Sequence, residues 1–414
     1  MDCDQFFNLS NNWNEKVCIF GAGECGSTWG YDLICKAGYK VDFYCDNNKK
    51  GSVNGLTIYE PDKIYNKSNV LCFVAVGGSN GKKIVLQLKD HGCLNIIWID
   101  KPQNIILAEV AEYIDKSDDD GLKDLFSELL DDEWFINKIF KEIRGKNVDF
   151  SNPQTLNEKI QYLKVYNQQK IYSTLCDKYA IREYIGNKFG EEYLVPLIFK
   201  TSDYKALIPD NILSDRFVIK ANAWSGDVEI IRDKSKVDWK RIQEKYKYIL
   251  EHNWYYRGRE WGYKNVVSSI VVEKLLETKD GHIPNDYKLH FFNGKLEFIY
   301  CAIDREKNNY RKIYDEKWNP LNFAWFSPNE GLERTIGPDI ECPSTFDKMK
   351  EIGCEVSKIA PYVRVDFYDV DGRLYCGEVT LYHGSGFDRF DPVEYDYFYG
   401  KKLDISEVFK DERL

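Results

Sequence analysis

The sequence predicts a chain of mixed fold class, α/β near its N-terminus and α+β in the remainder. Near the N-terminus, the apolar run 17–20 ends in a glycine-rich turn that precedes a helical pattern and a second strand. Near the C-terminus, two alternating runs between Tyr362 and Gly386 flank the acidic, glycine-containing turn 369–372, which is typical of a β-hairpin. At 414 residues and 43% hydrophobic, the chain is long and apolar enough for more than one packed core.

Composition excludes several classes of function. A formal net charge of −10 argues against a nucleic-acid partner, which normally requires a basic face. The twelve cysteines form no C-x-x-C pair, so neither a disulfide framework nor structural zinc is expected. The first residues lack a basic segment followed by an apolar core, and no apolar run reaches the length of a membrane span. We therefore expect a cytoplasmic protein, and a homo-oligomer stays open.

The segment from about residue 14 to 100 follows the order of a dinucleotide-binding βαβ unit. Gly21, Gly23 and Gly26 form G-x-G-x-x-G directly after the first strand, and Asp46 ends the second strand 20 residues later. Such glycines let the backbone approach a phosphate, and an acid at this place binds a ribose hydroxyl. Further strands are expected at 70–76 and 96–99 with a helix between them, which predicts a small doubly wound, Rossmann-like sheet.

Two interpretations of this N-terminal module stay open. It binds a nucleotide or nucleotide-sugar, or its glycines only allow the turn and it binds no ligand. Hydride transfer or epimerisation is disfavoured, since the Y-x-x-x-K match from Tyr59 to Lys63 contains Pro61, which interrupts the helix that would align the two side chains. The module resembles the Rossmann-like units appended to sugar-modifying enzymes of surface polysaccharide pathways, in which a D-N-N sequence also ends the second strand.

The predicted C-terminal hairpin carries polar side chains on one face. Arg364 and Asp366 share one side of the first strand, and Glu378 and Thr380 share one side of the second. Burying such groups is unfavourable unless they are paired, and a divalent cation with a phosphate would pair them. The alternative is a solvated strand face. The turn from His383 to Gly386 follows, where glycines allow close approach to a reacting carboxylate and His383 is either structural or catalytic.

Long motifs give the region from about 152 to 392 a resemblance to the TupA-like branch of the ATP-grasp superfamily. They are NPQTLNEKIQYLKVY from Asn152, LCDKYAIREYI from Leu175, RGREWGYKN from Arg257, NDYKLHFFNGK from Asn285 and GEVTLYHGSGF from Gly377. The resemblance implies an ATP-grasp fold after the Rossmann-like module. The expected domains are residues 1–100 for the module, 101–145 for a helical linker and 146–414 for the ATP-grasp catalytic region.

The resemblance also implies a set of site residues for ATP and magnesium. By motif position the phosphates would meet Lys178, Lys220, Ser225 and Gly226, and the adenine and ribose would meet Glu273, Lys274, Leu276 and Glu277. The catalytic cations would be Arg364, Lys288 and Arg305. Two Mg²⁺ ions would be held by Asp366, Glu378 and Thr380. The sequence departs from the family at Thr380, where asparagine is usual, and at Ala223 and Trp224, where His-Gly is common, so the contacts of that loop need a structure.

The reaction implied by the resemblance is ATP-dependent ligation of a carboxylate to an amine through an acyl phosphate, as in bacterial capsule and cell-surface polysaccharide synthesis. The carboxylate would be a uronic acid or a glutamate, and the amine an amino acid or amino alcohol. A second hypothesis is a phosphotransferase of the same fold that passes phosphate to a sugar or amino acid. A third is a nucleotide-sugar binding protein with a degenerate site, which the intact R-x-D and E-x-T pairs disfavour.

Overall fold

A computed structural model of the chain describes residues 15–36, 39–76, 78–98, 132–328 and 337–411. The chain divides into two compact units, Met1–Asp131 and Asp132–Leu414. Most of the expected linker, from residue 99 to 131, lies outside the described residues. The three-part division expected from the sequence therefore stays a prediction. No helix of the described residues has the length and apolar character needed to cross a membrane.

The first unit is a parallel sheet with helices between its strands. Its elements are β1 Lys16–Phe20, α1 Glu24–Ser27, α2 Trp29–Lys36, β2 Phe43–Cys45, β3 Gly51–Val53, β4 Leu56–Tyr59, β5 Val70–Val74, α3 Gly78–Asp90 and β6 Asn95–Trp98. The sheet order is β3-β4-β2-β1-β5-β6, and pairing is parallel except between β3 and β4. The strand order reverses between β1 and β5, so the glycine-rich turn after β1 lies at the topological switch point.

The second unit begins with helices and a small antiparallel sheet. These elements are α4 Asp132–Arg144, α5 Leu156–Tyr166, α6 Ile171–Cys176, α7 Ala180–Phe189, β7 Leu197–Thr201, β8 Phe217–Ala221, β9 Glu229–Ile231, α8 Trp239–Glu251, α9 Tyr255–Gly258 and β10 Ile270–Lys274. The sheet order is β7-β10-β8-β9, with α8 packed against it through Ile242, Tyr246 and Ile249. A capping box begins α5, because the Thr155 side chain accepts from the Glu158 N–H and the Glu158 side chain accepts from the Thr155 N–H.

A larger antiparallel sheet follows. Its region contains β11 Asp286–Phe292, β12 Lys295–Ile303, β13 Tyr310–Tyr314, β14 Ala324–Phe326, α10 Phe346–Val356, β15 Tyr362–Val370, β16 Arg373–Thr380, β17 Arg389–Asp391, α11 Glu394–Lys402 and α12 Ser406–Asp411. The order β13-β12-β11-β15-β16 places the predicted hairpin, β15 and β16, at one edge. Aromatic and aliphatic side chains pack α5, α10 and α11 against this sheet. The mixed α/β and α+β fold class expected from the sequence is confirmed.

Candidate active site

A cleft of about 600 Å³ separates the two sheets of the second unit. The smaller sheet lines it with Val218 and Lys220 on β8 and with the end of β10, and the larger sheet lines it with polar residues of β11, β15 and β16. Two antiparallel sheets that enclose one cleft can hold a flat ring system at one end and an extended charged group along the other.

The lining of the cleft contains an apolar set and a charged set of side chains. The apolar set, which we call the apolar end, consists of Val195, Val218, Ile230, Leu275, Leu276, Ile283 and Pro284. The charged set, which we call the charged end, consists of Lys178, Lys220, Glu273, Asp286, Lys288, Arg305, Arg311, Arg364, Asp366 and Glu378. Since cations outnumber carboxylates there, the charged end suits a polyanion, and the apolar end suits a planar base.

The floor of the charged end is one row of side chains across three strands. Lys288 on β11 pairs in register with Asp366 on β15, which pairs with Glu378 on β16. The Lys288 Nζ contacts the Asp366 carboxylate and donates to Asp286 Oδ2 at 2.7 Å. Because side chains directly opposite each other share one face of a sheet, this register brings together residues that are 90 positions apart in the chain.

A β-bulge makes this register compatible with the rest of the hairpin. Asp366 pairs with Glu378, whereas the next residue, Phe367, pairs with Cys376, so Gly377 is the extra residue of β16. A Cβ atom at Gly377 would lie 2.9 Å from Cε2 of Tyr368 and 3.3 Å from the Asp366 carbonyl oxygen. The absence of a side chain there lets the bulge form, and the bulge aims Glu378 at the cleft.

Arg364 is held by charge-assisted hydrogen bonds. Its Nε donates to Asp366 Oδ1 at 2.6 Å, and Nη2 donates to Asp366 Oδ2 at 2.8 Å and to Glu378 Oε1 at 2.6 Å. Its Nη1 donates to His383 Nδ1 at 3.0 Å. Only 8% of Arg364 is exposed, so a single orientation of the guanidinium is fixed.

The pKa values of the two carboxylates in this row are shifted in opposite directions. Burial alone would raise the pKa of Glu378, yet the cations around it, first Lys178 and Arg364, hold it well below its usual range. Burial raises the pKa of Asp366 in spite of Arg364 and Lys288. Glu378 is therefore a permanent anion at neutral pH, as a ligand for a hard cation needs to be.

The two predicted phosphate lysines lie on opposite sides of the loop between β8 and β9. The Lys178 Nζ donates to the Trp224 carbonyl at 2.7 Å and lies 3.5 Å from Glu378 Oε2. The Lys220 Nζ lies 2.6 Å from Glu273 Oε2. Trp224, where the sequence departs from its family, is buried and donates from Nε1 to Asp227 Oδ2 at 3.1 Å. The buried Trp224 side chain anchors the loop, and the next two residues, Ser225 and Gly226, line the cleft.

The four residues predicted to meet the adenine and ribose, Glu273, Lys274, Leu276 and Glu277, divide into two groups. Lys274 and Leu276 line the apolar end, and Glu273 lines the cleft while paired with Lys220 and with Arg182, whose Nη1 lies 2.8 Å from Glu273 Oε1. Glu277 differs, because it does not line the cleft. It contacts Arg216 and lies 2.6 Å from Arg232 Nη1. A ribose contact for Glu277 would require one of these arginines to release it.

A second cavity, of about 630 Å³, adjoins the cleft; we call it the side cavity. It shares with the cleft Ser225, Lys288, Arg311, Arg364 and Glu378. Its remaining wall includes Trp254, Glu260, Tyr263, Tyr300, Thr380, Tyr382, Asp388 and the turn 383–385. Thr380, predicted as a metal ligand, belongs to this wall, with its hydroxyl 3.4 Å from Glu378 Oε1. The cleft and the side cavity thus meet at Lys288, Arg364 and Glu378.

His383 is a neutral acceptor for Arg364. Because a guanidinium only donates, the contact with Arg364 leaves Nδ1 without a hydrogen and places the hydrogen of the neutral ring on Nε2. Burial, then the charges of Arg364 and Lys288, lower the pKa of His383 to about 4, although Asp388 acts in the opposite direction. The ring cannot accept a proton at Nδ1 while it holds Arg364, which favours the structural interpretation of this residue.

The oxygen atoms of Asp366, Glu378 and Thr380 are of the kind that magnesium prefers. Asp366 and Glu378 offer hard carboxylate oxygens from directly opposed positions, and Thr380 offers a hydroxyl beside them. Among the described residues no group of three or more histidine, cysteine or acidic side chains converges. A metal held here would therefore take its other ligands from phosphate oxygens or water, as is usual for Mg²⁺.

The predicted N-terminal residues all lie around the turn after β1. One Asp46 oxygen accepts from the Ala22 N–H at 2.8 Å, and the other accepts from the N–H groups of Asn48 and Lys49, both at 2.9 Å. Asp46 therefore closes its own turn and ties the glycine-rich turn to β2. A ribose hydroxyl would have to share these oxygens, so nucleotide binding by this module stays a prediction.

Sequence reasoning missed several residues that the fold brings to the site. Asp286 is buried beside Lys288 and lies 4.0 Å from Arg305 Nη2. The sequence contained a signal for Asp286, because Asp286 and Lys288 are two residues apart on one strand, as Arg364 and Asp366 are. No comparable signal marks Glu260, because the path of the chain between α9 and β10 decides where it lies.

A cleft between two antiparallel sheets, with an apolar end and a cationic floor, is the architecture of an ATP-grasp protein. The chain belongs to the TupA-like ATP-grasp family, whose model matches residues 158–404. The family expected from the sequence is confirmed. The match begins inside α5 and ends after α11, so it covers both sheets of the cleft.

Several solved structures align with most of this chain at low identity and low TM-score. D-alanine–D-alanine ligase from Bacillus anthracis is 13% identical over 96% of this chain and 99% of that chain, with a TM-score of 0.33. The ATP-grasp ligase PsnB is 10% identical over 89% and 91%, with a TM-score of 0.30. D-cycloserine synthetase DcsG is 13% identical over 94% and 100%, with a TM-score of 0.30. A search of the curated proteins finds no match.

Proposed function

We propose that the protein joins a carboxylate to an amine at the expense of ATP, through an acyl phosphate, and that the carboxylate belongs to a uronic acid or a glutamate of a cell-surface polysaccharide. One observation carries the mechanism. Lys288, Arg364 and Glu378 line both the cleft and the side cavity, so a phosphate held beside them in the cleft would lie next to a ligand in the side cavity. The substrate class rests on the family resemblance alone.

The residues of the cleft divide the work of binding ATP. Its adenine would lie between the apolar walls and pair with the Lys274 carbonyl and the Leu276 N–H. Its phosphates would meet Lys178, Lys220 and the loop at Ser225 and Gly226. Asp366, Glu378 and Thr380 would hold Mg²⁺, two ions by family resemblance, which neutralises charge that develops on the phosphates.

Two bond exchanges then complete the reaction. A carboxylate oxygen of the substrate attacks the γ-phosphorus, the bond from that phosphorus to the bridging oxygen breaks, and ADP leaves. The amine next attacks the acyl carbon, the carbon–nitrogen bond forms, and phosphate leaves with the oxygen it acquired. Arg364 would offset the negative charge that develops in both steps, and Lys288 and Arg305 would add to the positive field; the contacts of all three with the carboxylates of the charged end support this role.

The test is a reconstitution with product analysis. The full chain is incubated with ATP, Mg²⁺, glucuronate or glutamate, and alanine or ethanolamine, while ADP, phosphate and product masses are followed. Ligation predicts one phosphate per amide, and hydroxylamine in place of the amine traps the acyl phosphate as a hydroxamate. A stable phosphorylated acceptor without amide would identify a phosphotransferase. Absence of ATP turnover with every pair would contradict both enzymes and favour a binding protein.

A further inference from the structure

Glu260 is a buried carboxylate in the wall of the side cavity. Only 5% of the residue is exposed. Trp254 donates from Nε1 to Glu260 Oε1 at 3.2 Å and lines the same wall. None of the ion pairs among the described residues includes Glu260, although it is surrounded by protein. A buried anion without an ion pair is unfavourable unless a cation joins it.

The local fold explains why Glu260 lies there. Helix α9 ends at Gly258, and Arg259 takes the left-handed conformation with φ 57°, which turns the chain before the short helical turn Trp261–Tyr263. Arg259 is 1% exposed, with its Nε 3.4 Å from Asp132 Oδ1. The arginine on one side and the tryptophan on the other fix the segment that carries Glu260.

Lys164 is the cation with the largest effect on the pKa of Glu260, and it is not among the residues that line the side cavity. Lys164, on α5, is fully buried and donates to Gln161 Oε1 and to the Ser385 carbonyl, both at 2.8 Å. Burial raises the pKa of Glu260, while Lys164, Trp254, Ser385 and Lys178 act in the opposite direction. Glu260 is thereby a stronger base than an exposed glutamate, and Lys164 favours its ionised form.

The same cavity contains a polar atom that no protein group satisfies. His383 Nε2 is buried and without a hydrogen-bond partner, and it lies 3.4 Å from Asp388 Oδ2. Since Arg364 occupies Nδ1, this nitrogen carries a hydrogen. The cavity thus presents a donor at His383 and an anion at Glu260, and the rings of Trp254 and Tyr263 also line it. This combination suits a primary ammonium on a body that bears an oxygen acceptor.

We propose that Glu260 binds the ammonium group of the amine substrate in the side cavity and accepts the proton that this group loses before it attacks. The inference rests on the proposed ligation and assigns its second substrate a site and a base. The ammonium gives one proton to Glu260, the free amine forms the carbon–nitrogen bond, and the second nitrogen-bound proton leaves with the departing phosphate. The preferred amines are primary aliphatic amines, protonated in solution at neutral pH.

The test compares a charged amine with a neutral one. Ethanolamine is protonated at pH 7, whereas hydroxylamine is mostly neutral and needs neither an anionic site nor a base. We expect Glu260→Gln to reduce kcat/KM for ethanolamine by roughly 10²-fold, the scale of losing a general base, while hydroxamate formation is retained. Glu297→Gln is the matched control, since Glu297 is a buried glutamate that lies 2.5 Å from Lys402 and lines neither cavity. Equal loss with both amines, or no loss with ethanolamine, would overturn the proposal.

A double variant separates recognition from charge balance with Lys164. We expect Lys164→Gln combined with Glu260→Gln to remove both buried charges together, to keep the fold and still to turn over ethanolamine poorly. Recovery of ethanolamine turnover in the double variant would show that Glu260 only balances Lys164, and the proposal would be wrong.

Calorimetry keeps the proposal testable if no ligation occurs. With Mg²⁺ and ADP present, the wild-type chain should bind ethanolamine but not ethylene glycol, its uncharged analogue, and Glu260→Gln should bind neither. Equal affinity of wild type and Glu260→Gln for ethanolamine would overturn the site, whatever the reaction proves to be.

Discussion

Glu378 shows how a single carboxylate connects two cavities. Its side chain lines both cavities. Its Oε1 accepts a hydrogen bond from Arg364 Nη2 at 2.6 Å, and its Oε2 lies 3.5 Å from Lys178 Nζ. These cations hold the pKa of Glu378 far down against its burial. The carboxylate therefore contributes a full negative charge at neutral pH, which an amide of the same shape does not.

Glu378→Gln should reduce catalysis by roughly two to four orders of magnitude, because a preorganised charge is lost while the shape is kept. The measurement is ADP release at saturating Mg²⁺ and ATP, with Glu297→Gln as a control outside both cavities. Turnover close to that of the wild type would remove Glu378 from the metal site. A comparable loss in the control would instead indicate a general effect of glutamate replacement.

His383 gives the folded protein an acid-sensitive contact. Its pKa lies at about 4 in the folded state, mainly through burial, whereas an unfolded histidine titrates near 6.5. The unfolded chain therefore binds a proton that the folded chain does not, and stability that is fully present above about pH 6.5 is lost as the pH falls towards 4. The buried His290 has a lowered pKa as well and adds to this loss.

His383→Asn should make the acid loss of stability shallower by the contribution of one proton, about 1.4 kcal/mol per pH unit between the two pKa values. Urea unfolding at several pH values from 7 to 4.5 measures the slope, and replacement of the exposed His91 by glutamine is the control. An unchanged slope in His383→Asn would mean that the ring is already protonated in the folded state, and that its contact with Arg364 is absent.

At the scale of elements, the hairpin was predictable and the loops were not. Alternation along a strand determines which side chains share a face, so Arg364, Asp366 and Glu378 could be placed together before any coordinates were known. The register needed the structure, because the bulge at Gly377 shifts the pairing by one residue. Trp224 shows the limit, since its role as a buried anchor depends on Trp254, a residue of a distant segment whose ring centroid lies 5.0 Å away.

Gly377→Ala tests whether the bulge positions Glu378. The added methyl group would lie 2.9 Å from Tyr368 Cε2 and so displace either the ring or the strand. A displacement near 1 Å at a reacting centre reduces rates by roughly 10²-fold, so we expect a loss of that order with the fold retained. Cys376→Ala, on the same strand, keeps the bulge and should leave turnover near normal. Equal activity of Gly377→Ala and wild type would show that the hairpin tolerates another register.

At the scale of the whole molecule, the sequence predicted a reaction for the second unit but left the ligand of the first unit open. The second unit contains the residues predicted to bind ATP and magnesium, and its family is established over residues 158–404. The first unit has the switch-point turn of a nucleotide-binding sheet, but its acid, Asp46, is occupied by three backbone N–H groups. Local motifs predicted the sheet, whereas binding depends on whether the turn leaves room for a ligand.

Two glycines of that turn separate binding from folding. A Cβ at Gly23 would meet no atom within 4 Å, and its backbone is extended, so Gly23→Ala should leave the melting temperature unchanged. A Cβ at Gly26 would lie 1.8 Å from the Gly21 carbonyl oxygen, so Gly26→Ala should destabilise the first unit by about 1–3 kcal/mol. We expect the full chain to bind UDP-glucuronate or NAD in calorimetry, and Gly23→Ala to weaken this binding because its methyl group occupies the approach of a phosphate. Binding of neither ligand by the wild type, or equal binding by Gly23→Ala, would leave the turn a purely structural role.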